Sequence, residues 1–278
     1  MSTVAPPTRS TPEEPQMTTT TRDPRPELVD VGPVPFGRLL RTELRKLVDT
    51  RSGRWLLISI VAITAISMAG TLWVNRDTGA GLLPLLVAAN IPQALLVPVL
   101  GVMTAANEWS QRTALITFTQ EPRRLRVMVA KTLAAVLLGL GVLVVTSLLA
   151  AGAHVASMTA VDGGEVDLAI GWPMAFNVVV LQALGVLLGV AFGALFLNVP
   201  LGIVGYFLVP TLSPMIFLLT AWLREHAAWL DLATAQGPLL EPAWLTGREW
   251  AQVGTTSALW ILLPLAVGCW RVVRREVK

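Results

Sequence analysis

The 278-residue chain is short of charge. Only 14% of its residues are Asp, Glu, Lys or Arg, where a soluble domain carries about 25%, and 54% are hydrophobic. That deficit argues against a water-soluble main body and points to lipid as the principal solvent. The net charge of +3 is too small to argue for nucleic acid, and no nucleic-acid motif occurs. With one cysteine, Cys269, there is no intramolecular disulfide; it falls in an apolar run, where a thiol acts as a small hydrophobe. Only two histidines occur, His154 and His226, and no apolar run carries the His, Cys or carboxylate spacing of a metal set, so no metal site is expected. The N-terminal stretch lacks the apolar core of a signal peptide. No G-x-x-x-x-G-K-[ST] text is present, so this chain has no P-loop phosphate cradle. Arg outnumbers Lys, and Ala, Leu and Val dominate, a composition that fits a GC-rich bacterial genome.

What the sequence does have is long stretches without charge. None falls between Arg54 and Arg76, from Thr78 to Asn107, from Thr132 to Val161 with His154 neutral, from Leu168 to Leu223, or from Trp250 to Trp270. A charge at mid-bilayer costs roughly 2.5–3.5 kcal/mol, and a span needs about 20 residues. The run from Leu168 to Leu223 is long enough for two spans, with Leu197-Asn198-Val199-Pro200 as the turn between them. The expected fold is all-α, a polytopic membrane protein of six transmembrane helices near 55–75, 82–106, 127–155, 172–196, 200–222 and 254–270.

Before the first span, residues 1–34 are rich in Pro, Thr and charge and read as a disordered cytosolic tail. Residues 35–54 read as an amphipathic helix. Phe36, Leu39, Leu40, Leu44, Leu47 and Val48 share one half of its surface; Arg38, Arg41, Arg45 and Asp49 take the other. Glu43 breaks the pattern by sitting among the apolar positions, within reach of Lys46. Such a helix can lie in a membrane interface with its basic side toward anionic headgroups. The distribution of Lys and Arg places both termini in the cytoplasm: the segments then assigned inside, including a short tail at 273–278, hold 18 of the 21 Lys and Arg, and the outside keeps Arg76, Arg224 and Arg248. Trp55, Trp73, Trp172, Trp222 and Trp270 fall at the expected span ends, where indole prefers the interface. The outer loop 223–253 is too apolar for plain linker, with Trp229, Leu230, Leu239, Leu240, Trp244 and Leu245, and suggests short helices on or in the outer leaflet.

The stretch 107–131 is a charged island between apolar helices. Pro122 suits the first turn of the third span, and Arg123, Arg124, Arg126 and Lys131 crowd that helix start, where cations oppose the helix dipole. Inside-positive anchoring or a partner surface accounts for them. The semi-apolar text from Arg112 to Thr119 suggests a short helix docked on something. Glu108 and Arg112 stand one helical turn apart and either pair within the helix, worth roughly 0.2–0.5 kcal/mol, or make charge-assisted contacts to another chain. Polar residues inside the spans are Asn90, Gln93, Asn177, Gln182, Thr211 and Ser213, with His154 closing the third. Each serves either interhelical packing or a substrate path; Asn90, Gln93, Thr211 and Ser213 are the candidates for the path. Gly185, Gly189 and Gly193 repeat every four residues, a face for close helix packing inside the chain or between copies.

These features together resemble a family. An amphipathic helix bearing Glu43-Leu44, Lys46 and Leu47 precedes a first span. A second span ends in Glu108, and Arg112-Thr113, Pro122-Arg123-Arg124 and Lys131 follow. The layout over about residues 36–272 is similar to the membrane-spanning permease subunit of type-2 ATP-binding-cassette transporters, an exporter-like group. The resemblance implies that 35–54 is the connecting helix of a six-helix domain at 55–272. It also implies that 107–126 is the coupling loop, with Glu108, Arg112, Thr113, Pro122, Arg123 and Arg124 facing a separate cytosolic ATPase. Two permease subunits, identical or different, would pair in the cell membrane. ATP and Mg would sit on the partner ATPase, no cofactor on this chain, and the chain itself would not be an enzyme. The long N-terminal tail departs from that layout. Two other readings compete. An intramembrane protease is suggested by Glu108-x-x-x-Arg112, but lacks a second glutamate and inward histidines. An ion-driven transporter would require a mid-depth carboxylate, which the spans lack.

Overall fold

The computed structural model describes residues 34–275. The tail expected at 1–34 and the last residues of the one at 273–278 therefore fall, but for Val34 and residues 273–275, outside the described residues. The described chain is helical, with no strand among those residues. Six helical stretches are long and apolar enough to cross a membrane: Arg51–Val74, Leu82–Ser110, Arg124–Thr159, Trp172–Phe196, Val199–Phe217 and Gly247–Arg274. The expected spans correspond to these one for one.

Helix α1 (Phe36–Asp49) meets α2 (Arg51–Val74) at a corner one residue wide. Thr50 is extended there, and its hydroxyl accepts the Gly53 N–H at 3.2 Å, capping α2. A Cβ on Gly53 would lie 1.9 Å from the Leu47 carbonyl oxygen, so the corner requires glycine. Helix α1 buries the stripe Leu39, Glu43 and Leu47.

The central helix is α3 (Leu82–Ser110): 61% of its most apolar stretch is buried, against 17% for α2 and for α7 (Val199–Phe217). It lies against α5 (Arg124–Thr159) and, most closely, α6 (Trp172–Phe196). The glycine stripe makes that approach. A Cβ on Gly189 would stand 1.9 Å from the Pro98 carbonyl oxygen, and one on Gly193 2.6 Å from that of Val102. The question left open by sequence is thereby answered: this face packs inside the chain. Pro98 cannot donate the N–H that the Ala94 carbonyl would receive in a regular helix. The Tyr206 hydroxyl from α7 donates to that oxygen instead, at 2.6 Å.

The turn between α6 and α7 lies where expected. Leu197 adopts a left-handed φ of 51° and ends α6, and the Asn198 side chain caps α7 through Leu201 N–H at 3.0 Å. The amphipathic helix expected over 35–54 ends at Asp49, because Thr50 turns the chain and residues 51–54 already belong to α2. Other boundaries also differ from expectation. Helix α7 stops at Phe217 rather than 222, because Thr220 starts a new helix, α8 (Ala221–Leu230), by accepting from Leu223 N–H; Trp222 thus lies on α8 and not on a span. Helix α5 begins at Arg124, so Pro122 precedes the helix instead of occupying its first turn. The last span starts at Gly247, inside the loop expected at 223–253, where Thr246 and Glu249 form a reciprocal capping box. It comprises α10 (Gly247–Ser257), a π-helical segment (Ala258–Leu262) and α11 (Leu263–Arg274). Pro264 follows that segment, and the wide turn accommodates a ring that would otherwise clash with the preceding turn. Between α8 and α10 lie the short helix α9 (Leu232–Gln236) and one 3-10 turn (Gly237–Leu240), the short helices expected in that apolar loop.

Candidate functional site

Two regions concentrate polar side chains. The first is where α1, α3 and α5 meet. Lys131 Nζ lies 2.8 Å from Glu43 Oε2 and 3.0 Å from Glu108 Oε1. Lys46 Nζ lies 2.7 Å from Glu43 Oε1 and 2.8 Å from Glu108 Oε1. Two carboxylates and two ammoniums thus close a neutral ring. Glu43 is 1% exposed and Lys131 4%. The apparent fault in the α1 pattern is therefore its anchor. A buried ion survives only when paired and hydrogen-bonded, and the ring supplies both. Burial alone would lower the Lys46 pKa; hydrogen bonds to Glu108 and Glu43, with their charges, outweigh it and hold the ammonium above its ordinary value.

Beyond the ring, α4 (Ala114–Gln120) crosses the end of the bundle. Its Ala114 and Phe118 are buried in the main core with Val127, Met128 and Val272, so the short helix expected here docks on its own chain. Trp109 and Arg124 flank the Phe118 ring, Arg124 at 5.0 Å from its centre. Arg124 also donates to the Val272 and Arg275 carbonyls, both at 2.7 Å, at the C-terminal end of α11, where a cation complements the helix dipole. Arg126 pairs with Glu121 at 2.8 Å and donates to the Val34 carbonyl at 2.6 Å. Three of the island cations that oppose the α5 dipole are thus held by acceptors on other segments.

The residues grouped by sequence as one coupling surface are divided by the structure. Glu108 turns inward to the ring, and Arg124 turns to α11. Glu108 and Arg112 form no ion pair among the described residues, because α3 ends at Ser110 and Arg112 sits beyond it with φ 58°. Arg112, Pro122 and Arg123 are exposed and Thr113 is half-buried. What sequence reasoning missed on this surface is Leu115 and Ile116, on the outward face of α4 and 51% and 61% exposed.

The second region is a cavity of about 260 Å³ between α3, α6, α7 and α9. Asn90, Gln93, Gln182, Gln236 and Tyr206 supply its polar lining. Gln93 donates to Thr146 Oγ1 of α5 at 2.9 Å and to the Ala89 carbonyl at 3.0 Å, while its Oε1 has no partner. Gln182 donates to the Gly139 carbonyl at 3.1 Å. Of the four path candidates, Asn90 and Gln93 come together here; Thr211 and Ser213 do not line the cavity. Thr211 is exposed, and Ser213 is buried with its hydroxyl 2.5 Å from Asp231 Oδ1. Asp231, 0% exposed, also accepts from Thr234 N–H at 2.9 Å and thereby caps α9. Ser213 is thus a fastener for α9, not part of the cavity wall. Asn177 likewise ties α6 to the Glu241 and Ala243 carbonyls. His154 bridges the Ala80 carbonyl at 2.8 Å and the Asp167 N–H at 3.3 Å, which sets its proton on Nδ1. Among the described residues no group of three His, Cys, Asp or Glu is placed to hold a metal ion.

No protein-family model matches the chain, and a search of curated proteins finds no match.

Proposed function

We propose that this chain is the permease subunit of an exporter-like ATP-binding-cassette transporter in the cell membrane. On this reading α1 and α4 mark the cytosolic end, both termini are cytosolic, and α4 is the surface that receives a separate cytosolic ATPase carrying ATP and Mg. A second permease subunit completes the pathway, and this chain performs no catalysis itself. The observation that carries the proposal is α4. It is a short helix fixed by Phe118 to the bundle end, yet it presents Leu115 and Ile116 to solvent beyond the spanning helices. Exposed apolar side chains on a fixed helix, beside exposed Arg112 and Arg123, suit a partner with an apolar cleft and acidic rim. The Lys and Arg distribution supports the orientation.

The test is co-purification of the full chain from its native membrane in mild detergent. The expected partner carries a P-loop and hydrolyses ATP. Leu115→Asp with Ile116→Asp removes it, while Arg224→Asp at the opposite end, also exposed, retains it. Recovery of the intact permease without an ATPase under several gentle detergents overturns the reading.

A further inference from the structure

We infer that the cavity between α3, α6, α7 and α9 is a binding site for a small, uncharged amphiphile bearing a hydrogen-bond donor, such as a hydroxyl on an apolar body. The inference deepens the transport reading, from which it takes the passage of a substrate; the binding itself is independent of any ATPase.

The lining decides the class of ligand. Its walls are apolar, among them Leu95, Val97, Pro98, Leu181 and Leu188, and no Asp, Glu, Lys, Arg or His lines it. A ligand carboxylate, phosphate or ammonium would lose its hydration without gaining a counter-charge, which is costly. Asp231, whose neighbours Leu232 and Ala233 reach the cavity, has its carboxylate engaged by Ser213 and Thr234. Against the apolar walls stand the four amides and the Tyr206 side chain, and a few polar groups in an apolar concavity fix a ligand's orientation. The amide of Gln93 is the most telling. It is 1% exposed, its N–H groups are used on Thr146 and Ala89, and its oxygen is left without a partner. A buried acceptor without a partner is unfavourable. The terminal torsion of Gln is soft, so a small rotation brings the oxygen to a donor in the cavity. The volume of about 260 Å³ lies just below the roughly 300–1,000 Å³ of ligand pockets, which favours a small molecule.

Two features hold the walls of the site. Its α3 and α6 walls are fixed by the Gly189–Pro98 approach, which leaves no room for a Cβ. Its α9 wall is held by the Ser213–Asp231 hydrogen bond and, on the preceding residue, by Trp260 Nε1 donating to the Leu230 carbonyl at 2.8 Å. The α9 wall is thus fastened by side-chain hydrogen bonds and by Leu232 packed with Leu188, and not by a backbone approach that excludes a Cβ.

The experiment uses the full chain in lipid nanodiscs and a diazirine-bearing octanol as probe. Diazirine-bearing octanoate and octylamine serve as charged comparators, and adducts are mapped by peptide mass spectrometry. Expected is saturable labelling within 90–98 and 181–188 by the alcohol, competed by plain octanol, and about tenfold weaker with either charged probe, the factor that 1.4 kcal/mol confers. Gly185→Leu, whose Cβ would meet Pro98 only at an ordinary 3.6 Å, fills the cavity and abolishes the labelling. Gln93→Leu reduces it about tenfold through the lost hydrogen bond, and Asn90→Leu serves where Gln93→Leu does not fold. Equal labelling by all three probes, or labelling unchanged by Gly185→Leu in folded protein, overturns the inference. Labelling as expected in a chain that recruits no ATPase upholds the site and overturns the transport reading; a recruited ATPase with no cavity labelling does the reverse.

Discussion

At the α1 end, four charged side chains from α1, α3 and α5 close a ring, whereas at the opposite end a lone carboxylate, Asp231, is held by two hydroxyls and a backbone N–H. Both are buried acids, but their surroundings differ in what a single loss leaves behind. In the ring the four charges balance only together, so removing one leaves the other three with an uncompensated charge. Around Asp231 the partners are neutral, and losing one removes a hydrogen bond while the others remain. The α1 end is thus held by interdependent charges, and the opposite end by separate neutral hydrogen bonds.

The sharpest way to break this contrast is Lys131→Met. It leaves the buried Glu43 and the half-buried Glu108 facing Lys46 alone, and about 3–5 kcal/mol of stability is expected to be lost, read as a fall in thermal unfolding temperature in detergent. Converting Glu43, Lys46, Glu108 and Lys131 together to apolar residues of similar volume is expected to restore most of that loss; a quadruple variant as unstable as the single one would refute the interdependence. The middle of the molecule comes next. Gly189→Ala places a Cβ against the Pro98 backbone and is expected to cost about 1–3 kcal/mol by overpacking, whereas Gly152→Ala, with open space around it, serves as the neutral control in the same melting assay. At the opposite end, Ser213→Ala is expected to cost about 1 kcal/mol and to speed hydrogen exchange in 231–240 without altering exchange in α1. Equal acceleration at both ends would erase the difference between them.

The smallest effect concerns pH. Because the folded-state pKa of Lys46 is raised, its contribution is present in full below the unfolded value of about 10.4 and is lost as pH rises through the folded value above it. Melting temperature is expected to be insensitive to Lys46 titration at neutral pH and to fall in the alkaline range, less steeply in Lys46→Gln.

Much of this architecture is legible in the sequence because the signals are local. Uncharged runs, the Asn198-Val199-Pro200 turn and the amphipathic stripe of α1 each depend on neighbours within a few turns. The capping box was equally readable: Thr246-Gly-Arg-Glu249 has the spacing that starts a helix, yet it lies in a stretch that charge alone assigns to a loop. Other features are not local. Glu43 and Lys131 stand 88 positions apart, and nothing in the spacing of either announces the other. A misfit acid on an apolar face and a lysine at the edge of an apolar run are each visible, but their partnership exists only once α1, α3 and α5 are packed. For the same reason Asn90 and Gln93 could be grouped, being neighbours on one helix, whereas Gln182 and Gln236 join them through the fold.

The ring also has an order in time. Glu43, Lys46 and Glu108 all precede Lys131 in the chain, so on a ribosome that delivers the N-terminus first the two acids and one base are already made when Lys131 emerges. Until then the three ring members together carry one negative charge that none of them compensates. The arrival of Lys131 on α5 neutralises it, so the lysine set in an apolar helix finds its counter-charges already made.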